Sequence, residues 1–157
     1  MVLREHGDVD PARPVARAIL RAHREGALGS TRALAALLAR VLRDSRPAAA
    51  APVFQALRIW VNDEMADLES ALAWLPGAMA DGGVVVTLSY HSGEDRRVKR
   101  ALRGEPRAGS RRLPAPAAEP SPWEELTKKV VVPSELEQRT NPRARSARLR
   151  AFRRKPK

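Results

Sequence analysis

The chain contains no cysteine. Disulfides, thiolate metal sites and cysteine nucleophiles are excluded with it. Histidine is nearly as scarce, and His6, His23 and His91 make no metal-ligand spacing, so no metal is expected. No run approaches the roughly 20 apolar residues that span a bilayer, and the N-terminus has no apolar signal-peptide core. The expectation is a soluble, cytoplasmic protein that does not engage a membrane. Catalytic signatures are missing as well. There is no G-x-S-x-G elbow and no P-loop, and Gly82-Gly83 is not a dinucleotide fingerprint. No stretch reads as the strand, glycine-rich turn and helix that would hold a nucleotide-like cofactor.

Acidic residues are also in deficit. The 157 residues carry 18 Asp and Glu against 29 Lys and Arg, a net charge of +11. That balance points to polyanion partners. Nearly all the cations are arginine, which suits bidentate phosphate contact. They are also concentrated. Arg96 to Arg112 holds eight basic residues and one acid, and Arg139 to Lys157 holds nine and none. If the two runs meet in the fold, they make a phosphate-binding surface. Apart, they are a solvated helix face and a tail.

Helical spacing dominates the first half. Asp10-Pro11 reads as a cap and first-turn proline ahead of Ala12, Val15, Ala16, Ile19 and Leu20. Ser30 or Thr31 caps a second helix with the stripe Leu34, Leu37, Leu38, Val41 and Leu42. These two helices form a hairpin. Arg46 to Pro52 reads as a connection. A long third helix follows, with Phe54, Leu57, Val61, Met65, Leu68, Leu72 and Leu75 on one face. Gln55, Arg58 and Asn62 line its other face, either solvated or turned to a ligand. Pro76 and Gly77 end it.

The stretch from Gly82 to Arg103 is the centre of the second half. Val84 to Leu88 lacks polar alternation, the pattern of a strand covered on both faces in a parallel sheet. Tyr90, His91 and Ser92 follow its carboxyl end, where α/β sheets bind ligands. Ser92 is the expected cap of a basic helix, and Glu94 and Asp95 suit its positive end. Residues 104–122 read as a mobile Pro/Ala/Arg/Gly loop, with Trp123 anchoring the return. Thr127 to Val132 is a second strand candidate. A short helix follows Pro133-Ser134, and Asn141-Pro142 breaks it. In the last strand Ala147, Leu149 and Ala151 alternate with Arg148 and Arg150.

Three of these segments share a pattern with one family. Phe54-Gln55-Ala56-Leu57-Arg58-Ile59 with Val61-Asn62-Asp63-Glu64, then Tyr90-His91-Ser92-Gly93-Glu94-Asp95-Arg96 with Val98-Lys99, then Pro133-Ser134 with Asn141-Pro142-Arg143-Ala144-Arg145-Ser146-Ala147-Arg148-Leu149-Arg150 resemble, in order, the motifs of the bacterial small-subunit ribosomal RNA cytosine-N4 methyltransferases. Tyr90 stands where that family usually has Phe, and Gly93 where it has Leu. The hairpin at 1–50 resembles the family's helical insertion. Residues 51–157 resemble the C-terminal half of its methyltransferase domain.

The resemblance implies an α/β fold, a partial Rossmann-like class I methyltransferase sheet with a helical insertion domain. It implies methyl transfer from S-adenosylmethionine to N4 of a cytidine, with small-subunit ribosomal RNA or the ribosomal subunit as partner. His91, Glu94 and Asp95 become the groups expected to line the catalytic pocket. Arg96, Arg97, Lys99, Arg143, Arg145 and Arg148 become the RNA-binding cations. The family's cofactor-holding strand, glycine-rich turn and acidic residue have no counterpart here. No residue of this chain is therefore expected to bind the cofactor, and a separate chain carrying that half is an expected partner. A non-catalytic RNA-binding module or an inactive remnant are the alternatives.

Overall fold

The helical spacing of the first part of the chain becomes four helices. They are α1 (Val2–Gly7), α2 (Ala12–Arg24), α3 (Thr31–Leu42) and α4 (Pro47–Asn62). The computed structural model describes residues 2–104 and 121–156. It divides into two compact units, Met1–Glu64 and Met65–Lys157. The boundary expected at 50/51 falls inside α4.

In the first unit, Leu3, Val9, Ala12, Val15, Leu38, Val53 and Ala56 form the core. Ser30 caps α3, its hydroxyl accepting from the Ala33 N–H at 3.1 Å. Pro11 rather than Asp10 holds the N-cap position of α2, with no side-chain cap. The Ala-rich segment read as a connection is helix, because Pro47 sits in the first turn of α4, where it removes no needed donor. Helix α1 was not expected. It lies against α4 at Gly7, where a Cβ would collide with the Pro52 carbonyl oxygen and meet the Ala56 Cβ at 3.0 Å. Alanine is the better helix former by about 1 kcal/mol. Gly7→Ala is nevertheless expected to destabilise this unit by about 1–3 kcal/mol, since the clash is with backbone. A lowered urea midpoint at unchanged m-value is the expected reading.

The long third helix expected from Phe54 to Leu75 is two helices. Asp63 adopts a left-handed conformation (φ 52°), ending α4, and α5 runs Glu64–Ala78. The apolar stripe continues across the break, so periodicity alone does not reveal it. Polar groups brace it instead. Arg58 forks onto Glu64 through Nε and Nη2 at 2.8 and 3.0 Å, and Asn62 Nδ2 donates to Glu64 Oε1 at 3.2 Å. Two members of the polar line on that face, Arg58 and Asn62, thus serve the turn. Pro76 lies within α5 and does not end it at that point.

The second unit sets α5 and α6 (Ser92–Arg103) against a three-stranded sheet of β1 (Val84–Ser89), β2 (Trp123–Glu125) and β3 (Arg148–Arg154). The strand order is β1-β3-β2 and both pairings are antiparallel. This corrects the parallel sheet expected for β1. The partial α/β architecture is present, with the sheet antiparallel among the described residues. Thr127 to Val132 contributes only a bridge from Val131 to Leu149. A short helix α7 (Glu135–Thr140) and a 3₁₀ turn (Pro142–Ser146) lead into β3. Leu72, Val98, Leu102, Trp123 and Phe152 are the core. Trp123 anchors the chain's return as expected, with the Arg154 guanidinium 5.8 Å from its ring centre. The loop expected at 104–122 falls almost wholly outside the described residues.

The alternation in β3 runs opposite to the expected one. Arg150, Phe152 and Arg154 are buried against the helices, while Leu149 and Ala151 turn to the other face. Arg150 lies inward because it has carboxylate partners, the buried Asp95 on α6 and the half-buried Glu125 on β2.

Candidate substrate and nucleic-acid site

Strand β1 ends at Ser89, and the next two residues, Tyr90 and His91, turn the chain into α6. His91 is the N-cap, replacing the expected Ser92. Its backbone is extended, and its Nδ1 accepts the Gly93 N–H at 3.0 Å. A Cβ at Gly93 would lie 2.8 Å from the imidazole Cε1 and 3.0 Å from Nδ1. Glycine at 93 is therefore what lets the ring fold back over the helix start. With Nδ1 accepting, the ring proton is assigned to Nε2. Nε2 lies 3.3 Å from Glu94 Oε1, close but not aligned, and has no hydrogen-bond partner among the described residues. The other Glu94 oxygen accepts the Tyr90 N–H at 2.9 Å. Tyr90 itself is 52% exposed.

Asp95 points the other way, into the unit. Arg150 Nε donates to its Oδ1 at 2.6 Å and Nη2 to its Oδ2 at 3.1 Å, and Arg148 Nη1 lies 3.5 Å from Oδ2. The side chains of Asp95 and Arg150 are 9% and 8% exposed. The Arg150 hydrogen bonds hold the Asp95 carboxyl below its ordinary range. Burial opposes them, and the charges of Arg150 and Arg148 reinforce them. Arg103 forks onto Glu125 at 2.7 and 2.9 Å, and Arg150 Nη1 lies 3.7 Å from the same carboxylate. Asp95, Arg150, Glu125 and Arg103 thus make one charged chain joining α6, β3 and β2. Sequence reasoning missed Arg150, Arg103 and Glu125. The available signal was an arginine flanked by apolar residues in a strand, read there as an outward position.

The expected site residues divide by what they touch. His91 and Glu94 come together at the carboxyl end of β1. Asp95 adjoins them in sequence but is committed to Arg150. Arg97 bridges α6 to α5, donating to Glu69 Oε1 at 3.0 Å and to the Gly93 carbonyl at 3.3 Å. Lys99 lies on α6, half-buried, while Arg96 is exposed. Arg143 and Arg145 are exposed on the 3₁₀ turn, which enters β3 at Arg148, the register partner of Ser89. The basic C-terminal run is thus led to the sheet end that carries Tyr90 and His91. Several of its cations are already paired. Arg139 faces Glu135, Arg153 faces Glu124, and Arg150 and Arg154 are buried. Part of the first basic run, 105–112, lies outside the described residues. No cluster of three or more candidate metal-ligand side chains occurs among the described residues, and none of their helices is long and apolar enough to cross a membrane.

Comparison with known proteins bears on this arrangement. The sequence profile of the MraW methylase family matches residues 1–155. The chain is 44% identical over 150 residues to the ribosomal RNA small subunit methyltransferase H of Nitrobacter winogradskyi, covering 92% of this chain and 45% of that protein. It is 45% identical over 150 residues to the same-named protein of Bradyrhizobium diazoefficiens, with the same coverage. For that of Sorangium cellulosum the figures are 43% over 152 residues, 95% of this chain and 44% of the relative. The chain spans less than half the length of the curated relatives it matches.

Proposed function

The chain belongs to the MraW methylase family, and from that premise we propose that it supplies the substrate-facing, RNA-gripping part of an S-adenosylmethionine-dependent enzyme that methylates N4 of a cytidine in small-subunit ribosomal RNA. The observation that carries this reading is a donor and an acceptor side by side, buried His91 Nε2 and Glu94 Oε1, at the carboxyl end of β1 and adjacent in sequence to exposed Tyr90.

The chemistry asks for that combination. The exocyclic amine of cytosine is a weak nucleophile because its lone pair is conjugated with the ring. It must be held in line and its proton given an acceptor. The base must also leave its stack. Tyr90 offers a face on which an unstacked base rests. His91 Nε2–H, buried and unpartnered among the described residues, donates to the base's ring acceptors once the base displaces the groups that cover it, and Glu94 accepts from the amine. Asp95 is a positioning residue, since its pairing with Arg150 fixes the start of α6. Arg96, Arg143 and Arg145 are exposed cations for phosphate, with Arg148 and Lys99 at the margin. Arg97 holds α6 to α5.

S-adenosylmethionine does not fit the described residues. The only described strand running directly into a helix is β1 into α6, and the glycine at that turn, Gly93, is closed by the His91 ring. The methyl donor therefore belongs to polypeptide other than the residues described for this chain. That misfit favours, as a second reading, an RNA-binding module without chemistry of its own.

A chimera separates the two. This chain, grafted in place of the matching 150 residues of the Nitrobacter relative, is expected to transfer a labelled methyl group to small-subunit RNA. Glu94→Gln in the chimera is expected to lower the rate by about 10²-fold or more with RNA affinity unchanged. A folded chimera that binds RNA but transfers no methyl group would overturn the catalytic reading. For the isolated chain, log affinity for small-subunit RNA should fall linearly with log salt. Arg143→Ala with Arg145→Ala should reduce that slope by about 0.7 for each phosphate no longer neutralised. Binding that ignores salt would remove the RNA role altogether.

A further inference from the structure

Among the described residues, the sheet is covered on one face only. Residues opposite one another in a sheet share a face. On the face away from α5 and α6, β1 presents Val84, Val86 and Leu88, and β3 presents Leu149 and Ala151, with Val131 bridged to Leu149. Val84, Val86 and Leu88 are 48%, 57% and 55% exposed. The ion pair of Arg153 with Glu124 closes one end of this apolar patch.

The same three β1 residues also form an open edge. The backbone N–H and C=O of Leu149 are both bonded to Val131, and the Ala151 carbonyl accepts from Leu126 and Thr127. Leu149 and Ala151 thus direct their backbone groups away from β1. Their β1 partners, Leu88 and Val86, occupy non-hydrogen-bonded positions of the antiparallel ladder, as does Val84 by alternation. The N–H and C=O groups of these three residues therefore point to the outer edge of β1, which pairs with no strand among the described residues. Natural edges are blunted with lysine, proline or a bulge. Val84 to Ser89 has none of these. Val84 to Leu88 lacks polar alternation, the pattern of a strand enclosed on both faces.

We infer that the free edge and bare face of β1 are a docking surface for a polypeptide equivalent to the part of the relatives that this chain does not match. That polypeptide supplies a strand to the β1 edge and an aliphatic helix face to Val84, Val86 and Leu88. The inference rests on the family reading above and names the partner it requires. Each relative offers more than half its length as the source. The surface adjoins Tyr90, so the occupant arrives at the site where the described residues offer no cradle for the methyl donor.

The test is co-expression of this chain with the unmatched portion of the Nitrobacter protein as a separate polypeptide. Co-purification is expected, with amide exchange at Val84, Val86 and Leu88 slowed about tenfold or more. Val86→Lys, at an exposed position, should leave the circular dichroism of this chain unchanged and abolish both effects. If the two polypeptides do not co-purify, or co-purify without protecting β1, the inference fails. It also fails if this chain self-associates with the same amides protected in the absence of the partner, since the occupant would then be a second copy. Salt-dependent RNA binding by this chain is measured separately, so loss of docking with RNA binding retained sinks this inference and not the proposed function.

Discussion

Replacing Asp95 with Ala is expected to destabilise the second unit by about 3–5 kcal/mol, among the largest losses available from one residue in this chain. The cost does not come from the attraction alone. Desolvating both charges nearly cancels the gain of pairing them. Removing one partner, however, strands the other, and Arg150 would remain 8% exposed with neither oxygen of its main acceptor. Arg148 would not compensate, because it is a cation too. The remaining acid, Glu125, is 3.7 Å from Arg150 Nη1 and already forked by Arg103. Replacing both partners together, Asp95→Leu with Arg150→Met, is expected to recover most of the loss, since an apolar pair of similar volume needs no desolvation. A double-mutant cycle read by urea unfolding measures this coupling. Equal, additive losses in the two single variants would contradict it.

The pH dependence of the same pair has a definite sign. The Asp95 carboxyl titrates below its ordinary 3.8 in the folded chain, through its hydrogen bonds to Arg150. Unfolding raises it again, so the unfolded state binds the proton more readily. The contribution is therefore complete above the ordinary value and is lost as the pH falls below it towards the folded value. Unfolding midpoints should show this fall in acid. In Asp95→Asn the fall should be shallower, because that group no longer titrates.

This pair also shows where sequence reasoning reached its limit. The motif containing Asp95 was legible, and so were α6, β1 and the arginine-rich entry to β3. What Asp95 faces depends on a strand 55 residues away, and no local pattern specifies which side of β3 looks inward. Where the controlling interaction is local, the reading narrowed the cap of α3 to Ser30 or Thr31, and Ser30 holds it through the Ala33 amide three residues on. It failed at Asp63 because the leucine spacing on either side of the break is the same as in an unbroken helix. It assigned β1 to an enclosed parallel sheet because composition reports how a strand is meant to be covered, whereas the described residues cover it on one face. His91 as cap was hidden for a steric reason. Histidine is not a preferred N-cap, and only the missing Cβ at Gly93 makes room for it.

The register of β3 provides the other large effect. Phe152→Ala is expected to cost about 3–5 kcal/mol, whereas Leu149→Ala, three residues earlier in the same strand, should cost about 1 kcal/mol or less. Hydrophobicity alone does not predict that contrast, since both are large apolar side chains in one strand. It follows from parity. Phe152 pairs with Val85 on one side and Glu125 on the other, and its ring is fully buried among Leu72, Val98, Leu102 and Trp123. Truncating it leaves a cavity that α5 and α6 fill only by moving together. Half-buried Leu149 lies opposite exposed Leu88 on the face away from α5 and α6, where solvent reaches part of the space that its truncation leaves. A shift of register by one residue would exchange the two faces and invert the contrast. Chemical unfolding of the two variants therefore tests the inward placement of Arg150 as well, because Arg150 and Phe152 are fixed to the same face by the same parity. The contrast should narrow once the β1 surface is docked, since Leu149 would then be enclosed along with Leu88. A Leu149→Ala variant that is neutral alone but weakens the co-purified assembly is the expected signature.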